Sequence, residues 1–200
     1  MRAPLPRLHA ITDERIARRA DLHHVAGKLA HDGVAFHARG RALTGLEHYE
    51  LAARLAARPP GRLFVNDRLD VALAVKAVGV QLSATSLPVS AARHLDPTWW
   101  IGKSVHDLVE ADAAKAEGAD YLLVGPVYAT ATHPDRPPLG LDALSRIAHL
   151  GVPVIAIGGI GPRRAREVKA AGAYGAAAIR ALWDAADPAD AVRRMLEELQ

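Results

Sequence analysis

The sequence contains no cysteine. Disulfides, thiolate nucleophiles and cysteine-type zinc sites are therefore excluded. It has no run of five or six basic residues either. The formal net charge of +3 is carried mostly by arginines scattered along the chain, which offers no footprint for a nucleic-acid partner. No stretch approaches the roughly 20 apolar residues of a membrane span. The opening segment MRAPLPRLHAITD has no apolar stretch of signal-sequence length. These absences lead to the expectation of a cytoplasmic protein with neither a membrane nor a nucleic-acid partner. Histidines at His-x-His or His-Glu-x-x-His spacing are missing too, which speaks against a zinc site.

What is present is a chain of 200 residues, half of them hydrophobic, enough for one domain over residues 1–200 with one sizeable core. Short apolar runs alternate with helical patterns throughout. Strands are expected at 8–12, 34–38, 62–66, 79–82, 99–103, 120–124, 153–157 and 175–179, each followed by an amphipathic stretch. In Asp67-Arg68-Leu69-Asp70-Val71-Ala72-Leu73, for example, Leu69 and Leu73 fall at helical spacing. Three helix-to-strand junctions contain a glycine suited to the positive φ that ends a helix: Gly79, Gly118 and Gly172. Strands apolar on both faces need helices on both sides, and eight right-handed βαβ crossovers close a barrel. The expected fold is α/β, a single (β/α)8 TIM barrel, at the short end of that fold's range. An open doubly wound sheet is the alternative. It would place a glycine-rich fingerprint after the first strand, where Ile11-Thr12-Asp13-Glu14 stands instead.

Chemistry in such a barrel sits at the C-terminal ends of the strands. Those ends deliver Thr12 and Asp13; His37, Arg39 and Arg41; Asn66, Asp67 and Arg68; Gln81, Ser83 and Thr85; Lys103, Ser104 and His106; Tyr128, Thr130, Thr132 and His133; Gly158 and Gly159; and Arg180. Four cations, Arg39, Arg41, Lys103 and Arg180, converge on a mouth with one central carboxylate, Asp67. An anionic ligand follows. The sharpest local signal is Ile157-Gly158-Gly159-Ile160 ahead of Pro162. Paired glycines at the seventh strand expose N–H groups where these barrels cradle phosphate. The connection from Gly125 to Gly140 is too long for a simple link, and its threonines can donate to phosphate oxygens. Among the histidines, His37 and His106 stand at strand ends where a proton carrier can act, with His133 third. His23, His24, His31, His48, His94 and His149 read as surface residues.

Jointly these residues resemble the thiamine phosphate synthase and thiazole tautomerase (TenI-type) family, nearly end to end. The resemblance runs through Leu8-His9-Ala10-Ile11-Thr12-Asp13, Arg39-Gly40-Arg41-Ala42-Leu43-Thr44-Gly45 and Asn66-Asp67-Arg68-Leu69-Asp70-Val71-Ala72. It continues through Gly102-Lys103-Ser104-Val105-His106, Gly125-Pro126-Val127-Tyr128, Pro137-Pro138-Leu139-Gly140-Leu141 and Ile155-Ala156-Ile157-Gly158-Gly159-Ile160. The resemblance implies a small phosphate ester as the partner, and one of two activities. A synthase joins a pyrimidine diphosphate to thiazole phosphate, releases pyrophosphate and uses Mg2+. A tautomerase moves a proton on a carboxylated thiazole phosphate and needs no cofactor.

Departures from the family pattern favour the tautomerase. Ser83-Ala84-Thr85-Ser86 stands where synthases place a second Mg2+ carboxylate. His37 replaces a glutamine, the tautomerase-like choice; Arg41 replaces a lysine and keeps its charge, and Arg180 replaces a serine, a departure from both activities. Pro126, which follows Gly125 as in synthases, departs from the tautomerase pattern and leaves the proton carrier to His37, His106 or His133. In the tautomerase reading, Arg39, Arg41 and Lys103 hold the carboxylate and the Gly158–Gly159 amides hold the phosphate. Asn66, Ser104, Thr130, Thr132 and Arg180 complete the binding set. In the synthase alternative, Asp67 with Mg2+ orients the diphosphate, while Arg41, Lys103, Thr130 and Thr132 neutralise the leaving group. The second alternative is a non-catalytic barrel that binds thiazole or thiamine phosphate. The oligomeric state, a homo-oligomer included, is left open.

Overall fold

The strands form because short β-branched or alanine-rich runs are buried on both faces. In the computed structural model, which describes residues 2–130 and 136–200, they are β1 (Leu8–Ile11), β2 (Val34–Ala38), β3 (Arg62–Asn66), β4 (Gly79–Leu82), β5 (Trp100–Val105), β6 (Tyr121–Val124), β7 (Val154–Ile157) and β8 (Gly175–Ala178). They pair in sequence order, and β8 closes on β1, so all eight form a closed parallel barrel. The helices among the described residues are α1 (Glu14–Ala17), α2 (Leu22–Leu29), α3 (Gly45–Ala56), α4 (Leu69–Ala74), α5 (Val89–Leu95), α6 (Leu108–Ala116), α7 (Gly140–Ala148), α8 (Pro162–Ala170), α9 (Arg180–Trp183) and α10 (Pro188–Glu198). This is the expected (β/α)8 barrel.

Local chemistry sets several helix starts. Thr44 and Glu47 form a reciprocal capping box on α3, which satisfies two otherwise orphan N–H groups. Asp13, Asp107 and Asp187 accept from the first turns of α1, α6 and α10. At the helix ends, Gly118 and Gly172 take positive φ as expected. The third junction differs. Lys76, at φ 55°, ends α4, and Gly79 instead opens β4, where a Cβ would lie 2.5 Å from the Phe64 ring. Two further differences bear on function. The stretch after β1 breaks into α1 and α2, and the short α9 follows β8 directly.

Alternation along each strand divides the core in two. One set, including Ala10, Phe36, Val65, Leu82, Ile101, Val105 and Val124, packs outward against the helices. The inner set is Leu5, Ile11, Ala35, Phe64, Tyr121, Leu123, Ile155 and Ala177, joined by the buried polar residues His9, His37 and Gln81. Residues before β1 cover the N-terminal end of the barrel. Tyr174 OH donates to Leu5 O at 2.7 Å, and Trp100 Nε1 donates to Ala3 O at 3.1 Å. Among the described residues no helix is long and apolar enough to cross a membrane.

Candidate functional site

The C-terminal ends of the strands enclose a cleft of about 830 Å³, within the size range of small-molecule sites. Arg39, Arg41, Arg68, Arg136 and Arg180 line it, and Asp67 is the carboxylate among its lining residues. Arg68 is paired with Asp70 outside the cleft, which leaves four guanidinium groups against Asp67, an excess of positive charge suited to an anionic ligand.

The loop after β2 is fixed from beneath. The Arg39 N–H donates to Thr12 Oγ1 at 2.9 Å, and Glu14 accepts from the N–H groups of Arg41 and Ala42. Burial and the neighbouring Arg41 pull the Arg39 guanidinium below its usual pKa, while Glu14, Asp67 and Asp13 act the other way. At the end of β3 the chain turns sharply: Arg68 N–H donates to Asn66 O at 2.7 Å. Asp67 occupies the left-handed region at φ 59°, which Asp tolerates better than most residues. Its N–H donates to Gln81 O and its Oδ1 accepts from Ser83 N at 2.8 Å. A strained residue held by two neighbouring strand ends is typical of a functional position. Asp70, one turn on, is directed away. It pairs with Arg68 in a two-pronged contact that lowers its carboxyl to about 2.

The β7 loop, expected to cradle phosphate, is built from two glycines in the left-handed region. Gly158 and Gly159 both have positive φ, 108° and 66°. A Cβ on Gly158 would sit 2.7 Å from Pro126 Cα, and one on Gly159 2.8 Å from Ala129 O. The backbone therefore comes close to the β6 loop only because side chains are missing. Val127 and Tyr128 donate to Ile157 O and Gly158 O, which ties the two loops together. Gly161 caps α8 without a side-chain hydrogen bond and lines the cleft. Arg180 opens the short α9 on the neighbouring strand. Loops after the seventh and eighth strands plus a short extra helix are the usual phosphate site of this fold.

Of the residues expected at the site, Arg39, Arg41, Asn66, Asp67, Ser104, His106, Thr130, Gly158, Gly159 and Arg180 all line the cleft. Thr132 and His133 lie outside the described residues. Two placements need correction. Lys103 was expected at a strand end, but β5 continues to Val105. Ser104 faces inward, where its hydroxyl accepts from Gln81 Nε2 at 3.0 Å. Alternation then puts Lys103 on the outer face with Ile101 and Val105, away from the cleft wall.

His37 was expected to carry a proton at the mouth. It lies below the mouth, fully buried, stacked on Phe64 at 5.2 Å. Its Nε2 is 2.8 Å from His9 Nδ1 and its Nδ1 3.1 Å from the Asn66 carboxamide. Burial lowers its pKa to about 4, against the opposing hydrogen bond to Asn66. Burial and then His37 push His9 well below the usual value too. A group of this kind stays neutral and is poorly suited to shuttling protons near pH 7. His106 does reach the cleft. Its Nδ1–H donates to Gly125 O at 2.5 Å. His48 is not a surface residue: it is buried, donates from Nε2 to Ala38 O at 2.9 Å and lines the cleft. His9 was not singled out as a site residue. Its place on the same strand face as Ile11 is the signal that would have found it.

Comparison with known proteins bears on the choice of activity. The chain is 48% identical over 157 residues to the thiamine biosynthesis bifunctional protein ThiM/ThiE of Symbiobacterium thermophilum, covering 76% of this chain but only 33% of that protein. It is 41% identical over 203 residues to the thiamine-phosphate synthase of Salinispora tropica, covering 98% of each. Among solved structures, thiamine phosphate pyrophosphorylase from Pyrococcus furiosus superposes with a TM-score of 0.82 at 33% identity, over 96% of this chain and 95% of that one. These relatives overturn the tautomerase reading. That reading gave most weight to the missing second carboxylate, although Mg2+ sites in phosphate chemistry often use a single carboxylate and take other ligands from the substrate. The family profile described as thiamine monophosphate synthase matches residues 8–182, and the chain belongs to that family.

Proposed function

We propose that the cleft joins a pyrimidine diphosphate to thiazole phosphate and releases pyrophosphate. The observation that carries this reading is the charge pattern, with five arginines, one carboxylate and a two-glycine cradle around one cavity. The reaction breaks the C–O bond between the pyrimidine methylene carbon and the diphosphate, whose electron pair leaves with pyrophosphate. The thiazole nitrogen supplies the pair for the new C–N bond. No proton has to move in that step, so a neutral, buried His37 is no handicap. Neutralising charge on the leaving group is the main demand, and Arg39, Arg41 and Arg180 are placed to meet it. The Gly158–Gly159 backbone takes the phosphate of the thiazole half.

The residues also fit a divalent cation. Asp67 is a hard oxygen donor in the cleft, oriented through Ser83 N–H with its Oδ2 turned to no described hydrogen-bond donor, and Mg2+ prefers such oxygens together with phosphate oxygens. When bound there, Mg2+ would add positive charge at the diphosphate. Ser83, Thr85, Ser104 and Thr130 are the neutral hydroxyls around the same space, and Asn66 stands beside them. Purified protein supplied with both thiamine halves and Mg2+ is expected to release pyrophosphate and form thiamine phosphate. Binding of the phosphate esters without release would support the non-catalytic reading instead.

A further inference from the structure

The floor of the cleft carries a proton-counting constraint. Pro6 O, His9, His37 and the Asn66 carboxamide form an unbroken chain of contacts at 3.0, 2.8 and 3.1 Å. Pro6 offers a carbonyl oxygen, which only accepts, so His9 holds its proton on Nε2. A neutral His9 then has a bare Nδ1, and His37 must donate to it from Nε2. A neutral His37 in turn has a bare Nδ1 facing Asn66. If Asn66 also met it with its carbonyl oxygen, two neutral rings would have to supply three protons. Supplying the third would create an imidazolium inside the barrel. The charged group acting on His37 is the cation Arg39, and among the described residues no carboxylate contacts either ring. An unpaired buried charge of this kind is strongly disfavoured.

A carboxamide turned by half a revolution keeps its contacts and exchanges oxygen for NH2. We propose that the His9–His37 pair holds Asn66 in the turned form, with Nδ2–H donating to His37 Nδ1 and Oδ1 presented to the cleft. The surroundings agree independently of the proton count. Arg39, Arg41, Arg68, Arg136 and Arg180 line that space, so a carbonyl oxygen facing them is favourable and an NH2 group is not. Asn66 is then an acceptor and not a phosphate donor. It selects a ligand group that can donate, an amino or hydroxyl on the aromatic part of the substrate, and leaves anions to the arginines and the glycine loop. His9 and His37 are positioning residues that act through it. The identity of the ligand rests on the synthase reading; the orientation does not.

Two measurements test this. Nitrogen-15 NMR of the full-length protein at neutral pH should show both His9 and His37 with a proton on Nε2 and a bare Nδ1. It should also show an Asn66 side-chain N–H coupled across a hydrogen bond to His37 Nδ1. A proton on His37 Nδ1, whether alone or as an imidazolium, overturns the proposal. In calorimetric titration with pyrophosphate, Asn66→Ala should change Kd by less than about threefold. A larger loss would mean that Asn66 donates to the anion and would also overturn it. If these results hold while the two thiamine halves do not react, the synthase reading fails and the orientation stands.

Discussion

At the N-terminal end of the barrel, residues 3–7 lie across the strands and their carbonyl oxygens are satisfied within the chain. Tyr174, Trp100 and His9 donate to the carbonyls of Leu5, Ala3 and Pro6, Leu5 is buried, and Arg7 covers the Tyr174 ring at 4.5 Å. At the C-terminal end, one strained carboxylate and five guanidinium groups face an open cavity. The same eight strands supply both ends. The first is built to be closed and stable, whereas the second gathers an excess of positive charge that Asp70, Glu14 and Asp67 offset only in part. The buried His9–His37 pair lies between the two ends.

The comparison predicts that substitutions at the two ends separate activity from stability. The largest effect is expected at the mouth. Asp67→Asn keeps the acceptor for Ser83 N–H and tolerates the positive φ, yet removes the negative charge. Pyrophosphate release should fall by at least about 100-fold, roughly 3 kcal/mol in barrier, with the melting temperature nearly unchanged. A large drop in melting temperature would show that Asp67 serves the fold.

Next comes the buried pair. His37 has a folded pKa of about 4, below the unfolded value near 6.5, so the unfolded chain takes up the proton first. Its effect on stability is absent above pH ~6.5, grows as the pH falls, and levels off below pH ~4 at a loss of about 3 kcal/mol. His9 acts in the same direction. Denaturant melts of the wild type and His37→Gln across pH 7.5 to 4 should show the acid loss shrinking in the variant. Parallel curves would exclude His37 as the source.

At the closed end, Leu5→Ala should cost about 2–3 kcal/mol and leave kcat for pyrophosphate release within about twofold. A matching loss of kcat would mean that the two ends are coupled through the barrel interior. The smallest effect is expected from Asp70→Ala. Its pairing with Arg68 lowers the Asp70 carboxyl to about 2, but the Asp70 side chain is 64% exposed, and exposed pairs contribute below about 1 kcal/mol.

Much of this was legible in the sequence, because it depends on short-range pattern. Alternating apolar runs announced the strands, and glycines at 118 and 172 marked helix ends. Gly158-Gly159 before Pro162 marked a glycine loop that lines the cleft, and the cleft residues Arg39, Arg41, Asp67, Ser104 and Arg180 were found from strand ends alone. Lys103 was misplaced because β5 runs on to Val105, so Lys103 lies within the strand and alternation with the inward Ser104 turns it outward. His48 was taken for a surface residue because helical position alone does not show that Ala38 O lies within its reach. The tautomerase reading erred by counting carboxylates and undervaluing arginines, and likeness to synthases over nearly whole chains corrected it.

The amino-acid sequence by itself determined the number and order of the strands, the barrel they close into and the positive character of its mouth. These follow from periodicity, glycine conformation and charge, which neighbouring residues set among themselves. Only the tertiary structure decided the state of His9, His37 and Asn66. They are far apart in the chain, and pairing of β1 with β2 and β2 with β3 brings them into contact away from water. Burial without a counter-charge keeps the histidines neutral, which makes a residue that reads as a proton carrier into a brace for its neighbour.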